Sequence, residues 1–326
     1  MKAYTIPSTN RIEDLKIERM NTPIPGHKEV LVKVKAIGLN PVDYKIIEGS
    51  FGNLEAGHIP GVDGAGEVVS VGDGVESIRF GQKVMFHADL SKNGSFAEMI
   101  SIPEHVLTVI DDRLTFEEAA CIPCAGYTAY QAIVRKMNIK EGDKLLVQGG
   151  SGGVGSFAIQ IAKSLGAFVI TTCSGIHEHY VKELGADVMI NYHDHDVLHD
   201  VMEMTDGVGV DAVLDTVSGG SATQALKMLA FNGQLAFIAG APDYSKVKPF
   251  GKALSFHEVA LGGTYLSGNF KAQQDLANMG KELLFMHANE TLQLPKMRIY
   301  DFGGLPEALN HLKQRHYAGK LIVRVD

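Results

Sequence analysis

The segment Gln148-Gly149-Gly150-Ser151-Gly152-Gly153-Val154-Gly155 constrains this chain more than any other. It sets G-x-G-x-x-G, at Gly150, Gly152 and Gly155, between an apolar run (KLLV) and an amphipathic one (SFAIQIAKSLG). Such a motif has physical meaning only where it turns the chain out of a strand into a helix N-terminus. Unpaired backbone N–H groups and the positive end of the helix dipole then meet at a point that no side chain obstructs, a cradle for the diphosphate of a dinucleotide. Gly150, Ser151, Gly152, Gly153, Val154 and Gly155 are therefore candidate cofactor contacts.

The surroundings agree with that reading. From about Asp143, apolar strands alternate with helical stretches, the pattern of a parallel sheet covered by helices. Strands are predicted at 144–148, 168–172, 187–190, 211–215, 234–239 and 259–263, and helices at 154–165, 178–184, 197–204 and 222–229. The first third reads instead as short strands broken by turns, not as helices: residues 29–36 (EVLVKVKA) alternate with period two, and a second strand covers 66–71. Beyond Gly268 come a long helix (273–287), a strand around 293–300, a helix (305–313) and a last strand (321–325). That last strand has no place in a six-stranded nucleotide-binding sheet and is expected to return to the first domain. The fold class is thus α/β, a doubly wound parallel Rossmann sheet with an antiparallel β-barrel domain, the latter discontinuous. Residues 1–122 and 265–326 are assigned to the barrel and 123–264 to the nucleotide domain, a division that suits a chain of 326 residues.

Charge and composition exclude several classes. A net charge of −8 leaves no basic surface for nucleic acid. The opening MKAYTIPSTN has no long apolar core, and no run approaches the roughly 18 apolar residues that span a bilayer, so a soluble cytoplasmic protein is expected. Three cysteines suit a reducing compartment. Cys121 and Cys124 form a C-x-x-C, but the second pair of a tetrahedral zinc site is missing, and the two read as small buried thiols. His193, His195 and His199 lie in a polar stretch and read as surface residues.

Sites that prefer NAD place an acid about 20 residues after the turn, to bind the ribose hydroxyls. Here that place reads Thr171-Thr172-Cys173-Ser174-Gly175, with the first acid at Glu178. A 2′-phosphate would meet hydroxyl donors and no repulsion, which favours NADPH. Ser174 and His177 are its candidate contacts. Asp215 and Thr216 end the fourth predicted strand, and Ile238 and Gly240 the fifth, at the carboxyl edge where this fold binds ligands.

Together these segments resemble the medium-chain dehydrogenase/reductase superfamily in its zinc-free quinone oxidoreductase branch. The carriers are GLNPVDYKIIEG (38–49), IPGVDGAGEVVSVGDGV (59–75), GSFAE (94–98), AACIPCAGYTAYQAI (119–133), the GGSGGVG turn and GKLIVRVD (319–326). The resemblance implies a GroES-like substrate domain, no metal, a homodimer, and reduction of a small electron-poor carbonyl compound such as a quinone, enone or alkenal by NADPH. Zinc alcohol dehydrogenases hold a cysteine in the segment matching Leu39-Asn40-Pro41 and G-H-E where this chain has Gly61-Val62-Asp63. Within Asn40-Pro41-Val42-Asp43-Tyr44-Lys45, the resemblance casts Lys45 as stabiliser of the enolate, Tyr44 as a proton-donor candidate and Asn40 as an orienting amide. Asp43 is expected to hold Lys45 or a backbone turn. Pro123 and Thr128 match the nicotinamide side, with Thr128 the better carboxamide partner, Tyr192 the adenine end, and Lys320 a further cofactor-facing residue. Two alternatives stand beside this reading, a zinc-dependent alcohol dehydrogenase and a non-catalytic NADPH-binding sensor or structural protein.

Overall fold

The computed structural model describes residues 1–50, 54–314 and 317–325. It separates into two compact units, Thr128–Leu261 with Met286–Pro295, and Met1–Tyr127 with Gly262–Phe285 and Lys296–Asp326.

The first unit is built on a parallel sheet of six strands. Across the sheet they run Val188–Asn191, Phe168–Cys173, Lys144–Gln148, Val210–Asp215, Leu229–Phe237 and Ser255–Glu258. Helices cover a parallel sheet on both faces, so its strands are apolar almost throughout. Leu146, Ile170, Val213 and Leu235 are fully buried in one continuous core, and burying each contributes roughly 2 kcal/mol. Chain order reverses between Lys144–Gln148 and Val210–Asp215, which lie side by side with Gln148 opposite Asp215. That reversal is the switch point at which a doubly wound sheet opens a crevice for ligands. The α/β doubly wound fold expected from the sequence is thus present. The last strand was placed too late: it is Ser255–Glu258, and Val259 only prolongs the pairing through its N–H to the Phe237 carbonyl, 3.1 Å. Ser255-Phe256-His257-Glu258 is polar because it is an edge strand, which hid it behind the apolar residues that follow.

The second unit holds a seven-stranded sheet. Its main path runs Met297–Asp301, Lys320–Arg324, Glu29–Gly38, Asp63–Val71, Lys83–His87 and Thr108–Val109, with Met99–Pro103 also paired to Glu29–Gly38. The C-terminal strand does return to this unit, pairing Ile322 with Gly38 and Val323 with Ile37. Asp63 and His87 are direct cross-strand partners. The expectation of no helix in the first third fails at Pro41–Ile47. The signals for that helix lay in the sequence: Asn40 at the N-cap, proline at the first helical position, and Asp43 at the third, whose carboxylate accepts the Asn40 N–H at 2.7 Å.

Candidate functional site

In the parallel-sheet unit the glycine turn leaves Lys144–Gln148 and enters the helix Gly153–Ser164. A Cβ on Gly150 would stand 1.9 Å from Thr171 Oγ1, and one on Gly155 would stand 2.4 Å from the Gly149 carbonyl, so both positions demand glycine for packing. Gly152 differs, since a Cβ there would meet only the Gly149 carbonyl at 3.5 Å. It faces open space at the N-cap, offers no side-chain cap, and leaves the first N–H groups of a 12-residue helix to an external acceptor. The residues therefore fit a dinucleotide's diphosphate.

Other predicted contacts gather along the same carboxyl edge. Thr216 Oγ1 donates to the Gln148 carbonyl at 2.7 Å, and Ile238 N–H to the Asp215 carbonyl at 3.2 Å. One Asp215 oxygen accepts the N–H groups of Val217 and Ser218, both at 3.1 Å. Its other oxygen, Oδ2, is buried without a hydrogen-bond partner among the described residues, and so is Gln148 Oε1. Two acceptors at the switch point thus lack donors, and burial raises the Asp215 pKa. Ser174 caps the short turn Gly175–His177, where His177 N–H donates to the Ser174 carbonyl at 2.9 Å. Tyr192 is 51% exposed and tilts over His193. Gly240 is exposed with φ +136°, and Ser151, Gly153 and Val154 are half-buried along the turn. Thr128 is buried on the helix Pro123–Tyr130. His199, Asp200 and Glu203 lie near one another on an exposed or half-exposed helix face, with His195 Nδ1 2.9 Å from Asp200.

The antiparallel unit contains a buried polar cluster. Lys320, 3% exposed at the start of the last strand, donates its ammonium to the Leu39 carbonyl (3.0 Å) and Asn40 Oδ1 (2.7 Å) and lies 3.5 Å from Asp63 Oδ2. Asn40 Nδ2 donates to Asp63 Oδ2 (2.8 Å) and to the Gly38 carbonyl (3.1 Å). Asp63 also accepts Cys124 N–H, at 2.9 Å on Oδ1. Asp43 takes the backbone-turn role, accepting from Asn40 N–H and from Val62 N–H (3.2 Å). Burial raises the Asp43 carboxyl to about 7 and that of Asp63 to about 6, the latter against the pull of Lys320. His87, neutral because burial lowers its pKa to about 4 with Lys320 adding to the effect, has an Nδ1 without a hydrogen-bond partner among the described residues. Burial raises the Cys124 thiol well above its ordinary range.

Lys320, proposed from sequence as a cofactor contact, thus has its ammonium engaged inside the antiparallel unit. Tyr44 is buried on the helix Pro41–Ile47. Lys45, half-buried on the same helix, has no hydrogen bond or ion pair from its ammonium among the described residues. Sequence reasoning did not single out Asp63 or His87 as a pair, nor Gln148. The available signal was charge inside apolar runs, Asp63 in IPGVDGAG and Lys320 directly before LIV.

Residues 26–112 match the alcohol dehydrogenase GroES-like domain, and residues 153–283 a family described as zinc-binding dehydrogenase. Trans-enoyl reductase pgmF of Aspergillus terreus is 39% identical over 234 residues, 67% of this chain and 65% of its own length. In strain NIH 2624 the same-named protein is 37% identical over 241 residues, 66% of this chain and 67% of its own. The chain therefore matches only about two thirds of the length of these relatives. Among solved structures, the quinone oxidoreductase of Pseudomonas syringae pv. Tomato DC3000 superposes with TM-score 0.89 at 29% identity, covering 99% of both chains. The CurK enoyl reductase gives TM-score 0.90 at 22% identity, over 100% of this chain and 99% of that one, a likeness of fold. A GroES-like domain joined to a Rossmann-type domain defines an oxidoreductase class that works with a nicotinamide cofactor. The chain belongs to the medium-chain dehydrogenase/reductase superfamily.

The zinc in that family description can be tested against the donors present. Ligand atoms of Asp63, His87 and Cys124 lie within 4.8 Å of one another, a set chemically suited to zinc. The ammonium of Lys320 conflicts with it. A dication bound at Asp63 Oδ2 would stand within about 5.6 Å of Nζ, given a zinc–carboxylate bond of about 2.1 Å and the 3.5 Å ion pair. At an effective dielectric near 20 that is about 6 kcal/mol of repulsion. The donor set does not fit a divalent ion while Lys320 holds its place.

Proposed function

We propose that this chain reduces a double bond conjugated to a carbonyl, in an enone, alkenal or enoyl compound, using NADPH and no divalent metal. The glycine turn at the switch point carries the reading: its N-cap is bare and its helix amides are uncapped. When bound, the nicotinamide coenzyme supplies hydride. The amides from Gly153 to Gly155 receive its diphosphate, and Ser174, His177 and Tyr192 favour a 2′-phosphate at a strand end where no acid stands before Glu178. Asp215 and Gln148 accept hydroxyl or amide donors, and Thr128, Thr216, Ile238 and Gly240 complete the contacts.

Hydride addition leaves negative charge on the substrate carbonyl oxygen, and a positioned cation or donor stabilises it most. Lys45 supplies that cation, and Tyr44 is the candidate proton donor. Asn40, its amide committed to Gly38 and Asp63, acts as a positioning residue, and Lys320 acts through Asn40. The enoyl reductase relatives favour an enone or enoyl substrate. The likeness to a quinone oxidoreductase at 29% identity favours quinones as a second reading.

The test is coenzyme titration followed by NADPH oxidation against enones, alkenals, enoyl thioesters and quinones, before and after chelation. Tight NADPH binding with turnover that survives chelation is expected. Failure to bind either coenzyme, or turnover that disappears on chelation and returns with zinc, sinks the proposal. Binding without turnover on any of these acceptors supports a non-catalytic NADPH-binding protein instead.

A further inference from the structure

Asp63, His87 and Cys124 are three potential metal ligands from two adjacent strands and one helix start. Their atoms are within 4.8 Å of one another, and a small inward movement would give the spacing of about 3.5 Å found around a tetrahedral ion. His87 Nδ1 is buried and has no hydrogen-bond partner among the described residues. A thiolate, an imidazole and a carboxylate together suit zinc or cobalt. In the structure the cation beside them is the chain's own, the Lys320 ammonium, gripped by Leu39, Asn40 and Asp63.

We infer that Lys320 is a built-in cation that keeps closed a latent metal site formed by Asp63, His87 and Cys124. The inference rests on the metal-independent reading above and adds its cause. With Lys320 in place, the negative charge of Asp63 is answered internally and an incoming dication meets a fixed like charge. Replacing Lys320 by methionine keeps an unbranched stem and removes that charge. Asp63 is then left uncompensated beside two further donors, and a divalent ion becomes the natural replacement.

The experiment titrates cobalt chloride into the full-length wild type and into Lys320→Met and Lys320→Gln, following the thiolate-to-cobalt absorption band and the thermal midpoint. The variants are expected to bind one cobalt at least about 100-fold more tightly than wild type. They should show the thiolate band, lose it when Cys124→Ser is added, and gain thermal stability from the metal that wild type does not gain. A variant that folds poorly alone is expected to recover its wild-type melting transition when refolded with cobalt or zinc. The inference is overturned if neither variant takes up or is stabilised by metal, or if wild type develops the Cys124-dependent band. Its failure in the variants leaves the metal-free turnover of wild type untouched. Loss of wild-type activity on chelation tests the proposed function separately.

Discussion

At the ligand edge of the parallel-sheet unit the polar groups are mainly backbone amides, and glycine is required because any side chain would intrude. In the antiparallel unit the polar groups are buried side chains: Asn40, Asp63 and Lys320 bond to one another, and Asp43 accepts the backbone N–H groups of Asn40 and Val62. The first arrangement leaves donors unanswered until an anion arrives. The second answers its charges internally and holds a shape. Substitutions should therefore damage binding in the first region and stability in the second.

The largest effect is expected within the glycine turn, and it separates the turn's own members. Gly152→Val adds a side chain where only one carbonyl lies nearby, at 3.5 Å from the Cβ position. The melting temperature should hardly change while NADPH affinity falls about 1,000-fold, or about 4 kcal/mol by fluorescence titration. Gly150→Ala presses a methyl group against Thr171 Oγ1 at 1.9 Å. It should cost about 2 kcal/mol of stability from overpacking before affinity is considered. Equal effects of the two substitutions on binding and stability would erase the distinction.

That contrast also explains what could be read in advance. The turn is contiguous, so its strand, glycines and helix announced themselves together, as did the alternating strands and helices that follow. The buried cluster draws on positions 40, 43, 63 and 320, which only the paired strands bring together. No local pattern joins Asp63 to His87 or Lys320 to Asn40, because strand register sets those contacts. For Lys320 the sequence offered a charge at the head of an apolar strand, but not the identity of its partner. The helix Pro41–Ile47 is the opposite case: its N-cap asparagine, first-turn proline and capping aspartate were all contiguous and were outweighed by the strand pattern around them.

Lys320→Met is the corresponding break in the second region. Removing one partner of a buried ion pair typically costs 3–5 kcal/mol, and about 3 kcal/mol is expected here in metal-free buffer at neutral pH, by denaturant unfolding. Lys163→Met, which breaks a partly exposed pair with Asp187 at 2.8 Å, should cost less than about 1 kcal/mol. Similar losses would mean that burial of the cluster contributes little. Lys45→Ala should leave stability and NADPH affinity nearly unchanged while lowering kcat by about 30-fold, because its ammonium makes no hydrogen bond or ion pair among the described residues. Unchanged kcat would remove Lys45 from the mechanism.

The cluster should also make stability depend on pH in a distinctive direction. Burial raises Asp43 to about 7 and Asp63 to about 6 from an ordinary value of 3.8. Between about pH 4 and pH 7 the folded chain therefore holds protons at these carboxyls that the unfolded chain has released. Stability from them is fully present below the unfolded value and falls as pH rises through the folded ones. Asp43→Asn cannot release a proton, so the melting-temperature difference, wild type minus variant, should decline by roughly 3 °C across that window. A difference that is flat or rises with pH contradicts the assigned direction.

The smallest effect belongs to coenzyme discrimination. Ser174 and the turn Gly175–His177 follow the strand Phe168–Cys173, whose neighbour Val188–Asn191 ends beside it with Asn191 opposite Cys173. Tyr192 continues from that neighbour, so hydroxyl and imidazole groups gather at one edge where a carboxylate would otherwise select NADH. A partly exposed contact to phosphate is screened by solvent and salt, which limits its worth to about 1 kcal/mol. His177→Ala should accordingly raise the KM for NADPH about fivefold and leave that for NADH unchanged, and the NADPH effect should shrink as ionic strength increases. Equal changes for both coenzymes would show that His177 shapes the turn and does not read the phosphate. The 2′-phosphate preference would then rest on Ser174, on Tyr192 and on the lack of an acid before Glu178.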